Sequence, residues 1–151
     1  NKKLILKTAQ YSSVMTMNAE EGISTFLDHK YRGKVKGLDD VKLQELLNKF
    51  QIEVREKQLA IVTVGMLGAF GITKNHVVHV NAKKIDKPIN TLGAGDSFSG
   101  GVVARYFSKY VDKELSNLEI KDILEYGVDL ASIVIQQPGG LLDPKLVACM
   151  R

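Results

Sequence analysis

The chain has no tryptophan, three prolines and a single cysteine, Cys149. One cysteine cannot close an intrachain disulfide, so a reducing compartment, the cytoplasm, is the expected location. No stretch is both long and apolar: the uncharged run from Leu59 to Thr73 is too short and too glycine-rich to span a bilayer. Lysine and arginine never cluster at the density of a nucleic-acid tract, and the net charge of +4 suits anionic small molecules better. Nucleic acid and membrane are therefore not expected partners. What is present is ordinary for a globular domain, with 44% hydrophobic and 25% charged residues. A chain of 151 residues is the size of one domain and can bury about 70% of its unfolded surface. It begins Asn-Lys-Lys-Leu-Ile-Leu, without an initiator methionine, as though cut from something longer.

Periodicity predicts strands at Leu4–Lys7 and Val14–Met17, then a helix opening at Asn18 with Ile23, Phe26 and Leu27 on one face. A basic, glycine-punctuated loop (residues 31–37) leads to a second helix from about Asp39, carrying Leu43, Leu46, Leu47 and Phe50. Leu59–Val64 reads as a strand buried on both faces, and Gly65–Gly68 as a turn. Ala69–Thr73 and His76–Val80 form a predicted hairpin around Lys74-Asn75. A helix from about Gly95 carries Phe98, Val102, Val103 and Phe107; a last long helix runs from Ile120 to Val134 and is stopped by Pro138-Gly139-Gly140. Strand and helix alternate around a buried strand, which predicts a layered α/β domain with a mainly parallel sheet and one β-hairpin.

Three motifs carry candidate chemistry. The first is Asn90-Thr91-Leu92-Gly93-Ala94-Gly95-Asp96-Ser97-Phe98, a glycine turn running into a helix with a carboxylate at its mouth. Unpaired N–H groups at a helix start attract anions, and a carboxylate there repels them. A base that must meet a phosphate would reconcile the two; an ordinary strand-to-helix turn with a favourably placed Asp96 is the plainer alternative. Gly100-Gly101 lies inside the same helix at a cost of roughly 1 kcal/mol each against alanine, so a ligand or a neighbouring strand is expected to approach closely. The second motif is Asn18-Ala19-Glu20-Glu21, whose capping-box spacing reads first as a helix cap, with Glu21 helping to hold a hydrated Mg²⁺ as the functional alternative. The third is Thr63-Val64-Gly65-Met66-Leu67-Gly68, glycines at the end of a buried strand, where ligands commonly bind in α/β sheets. A plain turn into the hairpin would look the same.

Other chemistries lack their residues. The sequence contains no phosphate-binding P-loop, and Gly65, Gly68 and Gly71 do not match the dinucleotide fingerprint. Gly95-Asp96-Ser97 resembles an esterase opening, yet no histidine follows His79 to serve as its base. His76 and His79 are three apart on a predicted strand and point to opposite faces, which argues against a shared zinc.

Taken in this order, the three motifs resemble those of the ribokinase (PfkB) family of carbohydrate kinases. Residues 90–98 are similar to its Asp-Thr-x-Gly-Ala-Gly-Asp-x-Phe signature, Asn18 and Glu21 to its Asn-x-x-Glu motif, and Thr63, Gly65 and Gly68 to its Thr-x-Gly-x-x-Gly turn. The resemblance covers nearly the whole chain. It implies ATP-dependent phosphorylation of a sugar hydroxyl, or of a nucleoside or other small alcohol, with Asp96 as base. The N–H groups of Gly93, Ala94 and Gly95 would form the anion hole, and Glu21 with Asn18 would order water around Mg²⁺. Thr63, Gly65 and Gly68 would flank the nucleotide, with the last helix near the adenine. Asn90 stands where the family usually has aspartate, at a position tied to monovalent cations such as K⁺. The resemblance further implies that residues 1–151 are the C-terminal, nucleotide-side part of a kinase, whose other half supplies the sugar pocket and a lid that can mediate dimerisation. A non-catalytic nucleotide-binding protein of the same fold is the remaining alternative.

Overall fold

The computed structural model describes residues 2–27, 30–31 and 33–148, so Cys149 and part of the 31–37 loop lie outside it. The elements run α1 (Lys2–Ala9), β1 (Val14–Asn18), α2 (Ala19–Phe26), α3 (Val41–Glu53), β2 (Leu59–Thr63), a 3₁₀ turn (Gly65–Leu67), β3 (Ala69–Ile72), β4 (Val77–Val80), α4 (Ala94–Lys109), α5 (Asn117–Val134) and α6 (Pro144–Ala148). Among the described residues, no helix is long and apolar enough to cross a membrane.

The four strands form one sheet in the order β1-β2-β3-β4. β1 and β2 are parallel, because α2 and α3 carry the chain back between them. The expectation of a mainly parallel sheet is corrected beyond that pair. The short Gly65–Gly68 turn leaves no room for a crossover, so β3 returns antiparallel to β2, and β4 is antiparallel to β3. The hairpin is closed as predicted, Thr73 N–H donating to His76 O at 2.8 Å. Leu4–Lys7, expected as a strand, lies in α1. Lys2–Ala9 is rich in good helix formers and has no turn residue to break it. Two polar bonds tie the end of α1 to the domain, from Gln58 Nε2 to the carbonyls of Ala9 and Ser12, each 2.7 Å.

β2 alternates strictly between two cores. Ala60 and Val62 pack with α2 and α3, whose Ile23, Leu43, Leu46 and Phe50 are buried. Leu59 and Ile61 face α4 and α5, meeting Phe98, Val102, Ile120 and Leu124. The domain is thus helix, sheet, helix. α4 and α5 cross at glycines: a Cβ on Gly101 would lie 2.7 Å from Leu130 Cδ1, and one on Gly127 2.8 Å from Val102 Cγ2. The close approach at Gly101 comes from a helix, not a strand. Beside the crossing, Arg105 grips Asp122 through two hydrogen bonds of 2.7 and 2.6 Å, and Tyr110 Oη donates to the same carboxylate. The Arg105 bonds hold the Asp122 carboxyl below its ordinary range. Ser116 and Glu119 form a capping box at the start of α5. The hydrogen bond from Lys113, then those from Ser116, lower Glu119 from an ordinary 4.5 to about 2.

This packing has consequences for stability that can be measured. Gly127→Val should destabilise the domain by about 1–3 kcal/mol, read from the urea midpoint, since the added methyls must displace Phe98 and Val102. For Glu119, a depressed carboxyl stabilises the fold above pH 4.5 and loses that contribution as the pH falls toward about 2. The stability deficit of Glu119→Gln relative to the unmodified chain, measured by denaturation, should accordingly be larger at neutral pH and shrink through that window.

Candidate active site

The sheet itself joins two of the three motifs. Asn18, the last residue of β1, is the register partner of Thr63, the last of β2. Thr63 Oγ1 donates to Met17 O at 3.4 Å. Asn18 caps α2: its Oδ1 accepts the Glu21 N–H at 2.8 Å, while Glu21 Oε2 accepts the Asn18 N–H at 3.1 Å. The capping box read from the sequence is therefore real, and it also holds Glu21 fast at the sheet's carboxyl edge. Glu21 is exposed, and its Oε1 makes no hydrogen bond among the described residues.

The turn after β2 needs its glycines for different reasons. Gly65 has φ +55 with open space where a Cβ would be. Gly68 has φ +97, and a Cβ there would lie 1.9 Å from Val80 O. The turn is closed by Val64 N–H to Gly68 O at 2.8 Å. It is also pinned by His79, whose Nε2 lies 2.7 Å from Leu67 O and whose ring stacks on Phe70. Sequence reasoning gave His79 no task. Its spacing opposite Phe70 in a predicted hairpin was the only signal for one.

The third motif opens α4, whose far end is anchored beside β2. Tyr106 Oη donates to Lys57 O at 3.5 Å, just before β2 begins, so the far end of α4 lies at the amino end of β2. Asp96 is ten residues earlier, about 15 Å up the helix, while the five residues of β2 span about 13 Å.

Local chemistry shapes that turn. Asn90 Oδ1 accepts the Leu92 N–H at 2.9 Å, and the N–H groups of Ile89 and Asn90 both donate to Ile135 O at the end of α5. Asn90 therefore uses one lone pair of its side-chain oxygen to hold the turn. Gly93 then takes φ +77 at the cap of α4, packed so closely that a Cβ would lie 2.1 Å from Gly140 O. Gly140, read only as part of a helix stop, packs against Leu92 and Gly93 of the glycine loop. Ala94 N–H reaches Thr91 O at a long 3.4 Å, and Ser97 N–H closes the first full helical bond, to Gly93 O. The N–H groups of Gly93, Gly95 and Asp96 donate to no acceptor among the described residues. The Asp96 carboxylate is exposed and accepts no hydrogen bond from them. The first turn of α4 therefore presents free backbone donors and a free carboxylate together. It does not hold a ready-made metal cage: no group of three or more acidic, histidine or cysteine side chains could hold an ion among the described residues.

The fold and this edge define a ribokinase-like α/β domain. The sequence profile of the pfkB family carbohydrate kinases matches residues 1–145, and the chain belongs to that family. It is 29% identical over 145 residues to a ribokinase of Dictyostelium discoideum, covering 92% of this chain and 43% of that protein. Among solved structures it resembles adenosine kinase from Sinorhizobium meliloti (19% identity, TM-score 0.70, 99% of this chain and 40% of that one). It also resembles a fructokinase from Vibrio cholerae solved with fructose, ADP and calcium (23% identity, TM-score 0.67, 92% and 40%). The chain spans less than half the length of the curated ribokinases it matches.

The glycines of α4 yield a paired prediction. Gly100 is exposed, and a Cβ added to it would meet nothing within 4 Å, so Gly100→Ala should raise stability by about 1 kcal/mol in a urea titration. Gly93→Ala should lower it by more than about 1 kcal/mol, because both its φ and the Gly140 backbone oppose a side chain.

Proposed function

We propose that this chain supplies the nucleotide and phosphoryl-transfer side of an ATP-dependent sugar kinase, with the acceptor pocket supplied by polypeptide outside residues 1–151. The observation that carries the reading is the unpartnered Asp96 carboxylate beside the free N–H groups of the first turn of α4. A carboxylate in that position takes the proton from the acceptor hydroxyl as its oxygen bonds to the γ-phosphorus and the bond to ADP breaks. The free N–H groups of Gly93 and Gly95, with that of Ala94 once it leaves its long 3.4 Å bond to Thr91 O, stabilise the charge that gathers on the transferring group; such donors are each worth about 3 kcal/mol when preorganised. Thr63, Gly65 and Gly68 line the nucleotide, since the turn is open at Gly65.

Magnesium fits the donor set in a limited way. Glu21 has a free carboxylate oxygen next to the capping residue Asn18, which suits an ion that keeps several waters and takes other ligands from phosphate. Bound there, Mg²⁺ would neutralise phosphate charge, while Glu21 and Asn18 orient the water around it. Asn90 brings K⁺ no charge, but its side-chain oxygen, which accepts one N–H from Leu92, keeps a second lone pair for a cation.

A sugar acceptor is favoured by the identity to ribokinases. A nucleoside acceptor is the second reading, supported by the fold likeness to an adenosine kinase. Transfer of ³²P from ATP to a panel of sugars and nucleosides by the complete gene product separates them. In that protein Asp96→Ala should lower kcat by about 10²-fold or more and leave ATP affinity within about twofold. An unchanged kcat would remove Asp96 from the role of base. The 151 residues alone should bind nucleotide weakly and transfer almost nothing.

A further inference from the structure

The turn between β2 and β3 has one open side and one held side. Met66 is 94% exposed, and Gly65, at φ +55, faces open space. The N–H groups of Gly65 and Met66 donate to no acceptor among the described residues. Successive free N–H groups in a turn suit an anionic ligand. The bonds inside the turn are local: Leu67 N–H to Val64 O at 3.0 Å, Gly68 N–H to Gly65 O at 3.1 Å, and Val64 N–H to Gly68 O at 2.8 Å. They set its shape, while glycine at position 65 leaves the open end free to pivot.

The held side belongs to β4. Gly68 packs against the backbone there, since a Cβ on it would lie 1.9 Å from Val80 O and 2.7 Å from Ala82 N. His79 makes the second contact, with Nε2 at 2.7 Å from Leu67 O. A carbonyl oxygen only accepts, so the proton lies on Nε2 and the ring donates. The ring plane is set by Phe70, the register partner of His79 in β3, whose ring lies 4.6 Å away at 32°. Phe70 and Leu67 both belong to the core against α2 and α3. Val80, the next residue of β4, joins Ile120, Leu124 and Val128 on the other face of the sheet. The donor is therefore carried by a strand anchored on both sides.

The sheet does not need this bond. β3 and β4 are joined by their own ladder, from Ala69 with Val80 to Ile72 with Val77. What the bond adds is the orientation of the Leu67 peptide, two residues beyond the opening at Gly65. We propose that His79 is a positioning residue for the nucleotide. It touches no substrate; it holds the Leu67 carbonyl so that the free N–H groups of Gly65 and Met66 meet the ligand in one fixed direction. Naming the ligand as a nucleotide rests on the kinase reading above. Donors that are not held must be ordered as the ligand arrives, and that costs affinity.

The test compares two replacements of His79 in the complete gene product. His79→Leu removes the donor and should weaken Mg·ATP binding, measured by calorimetry, about tenfold. Its kcat at saturating ATP and its acceptor KM should stay within about twofold of the unmodified protein. His79→Gln offers an amide N–H at similar reach and should recover most of the lost affinity. His76→Leu, at the other end of the hairpin, should leave ATP affinity unaltered. Without nucleotide, hydrogen exchange at the Leu67 and Gly68 amides should quicken in His79→Leu and stay unchanged in β2. Unaltered ATP affinity in His79→Leu, or equal losses in the leucine and glutamine variants, would overturn the proposal. So would a fall in kcat that tracks a lowered melting temperature, the mark of a purely structural role. Unchanged exchange would remove the clamp itself. Quickened exchange in a protein whose unmodified form binds no Mg·ATP would refute the kinase reading and leave the clamp standing.

Discussion

The contact of Gly93 with the backbone of Gly140 is the constraint on which the site depends. A left-handed residue caps α4 without a side chain, and its Cα rests where any Cβ would strike a carbonyl 2.1 Å away. That contact fixes where α4 starts relative to the end of α5. The Gly101–Gly127 crossing and the Arg105–Asp122 pair then fix its direction. Packing between two helices, some distance from any ligand, thereby sets the position of one carboxylate.

The same edge separates the glycines by purpose. Gly68, Gly93, Gly101 and Gly127 are held by the fold, since each would collide with a neighbour if it carried a side chain. Gly65, Gly95 and Gly100 collide with nothing. Glycine in a helix costs stability, and no internal packing offsets it at Gly95 and Gly100.

Much of this was legible in the sequence where the signal was local. Asn18 with Glu21, the Gly65–Gly68 turn, the hairpin at Lys74-Asn75 and the glycine entry to α4 each depend on residues a few positions apart. Long-range geometry was not legible. Strand direction in β3 followed from the shortness of a turn rather than from the apolar pattern of Leu59–Val64, and that pattern suggested a parallel sheet. Leu4–Lys7 looked like a strand because four apolar and basic residues fit either period, and helix propensity over the longer Lys2–Ala9 decided it. The task of Gly140 was hidden because a glycine after a helix has a sufficient local explanation as its stop signal.

The central claim is that the first turn of α4 binds the transferring phosphate next to Asp96. Backbone ¹⁵N–¹H shifts of Gly93, Ala94, Gly95 and Asp96, followed while Mg·ATP is titrated into the 151-residue chain, test it most directly. The account predicts saturable shifts at these amides, together with shifts at Thr63, Gly65 and Gly68. Saturation of the Gly65 turn with no movement at residues 93–96 would contradict it, because the nucleotide would then be bound with its phosphates directed away from the carboxylate.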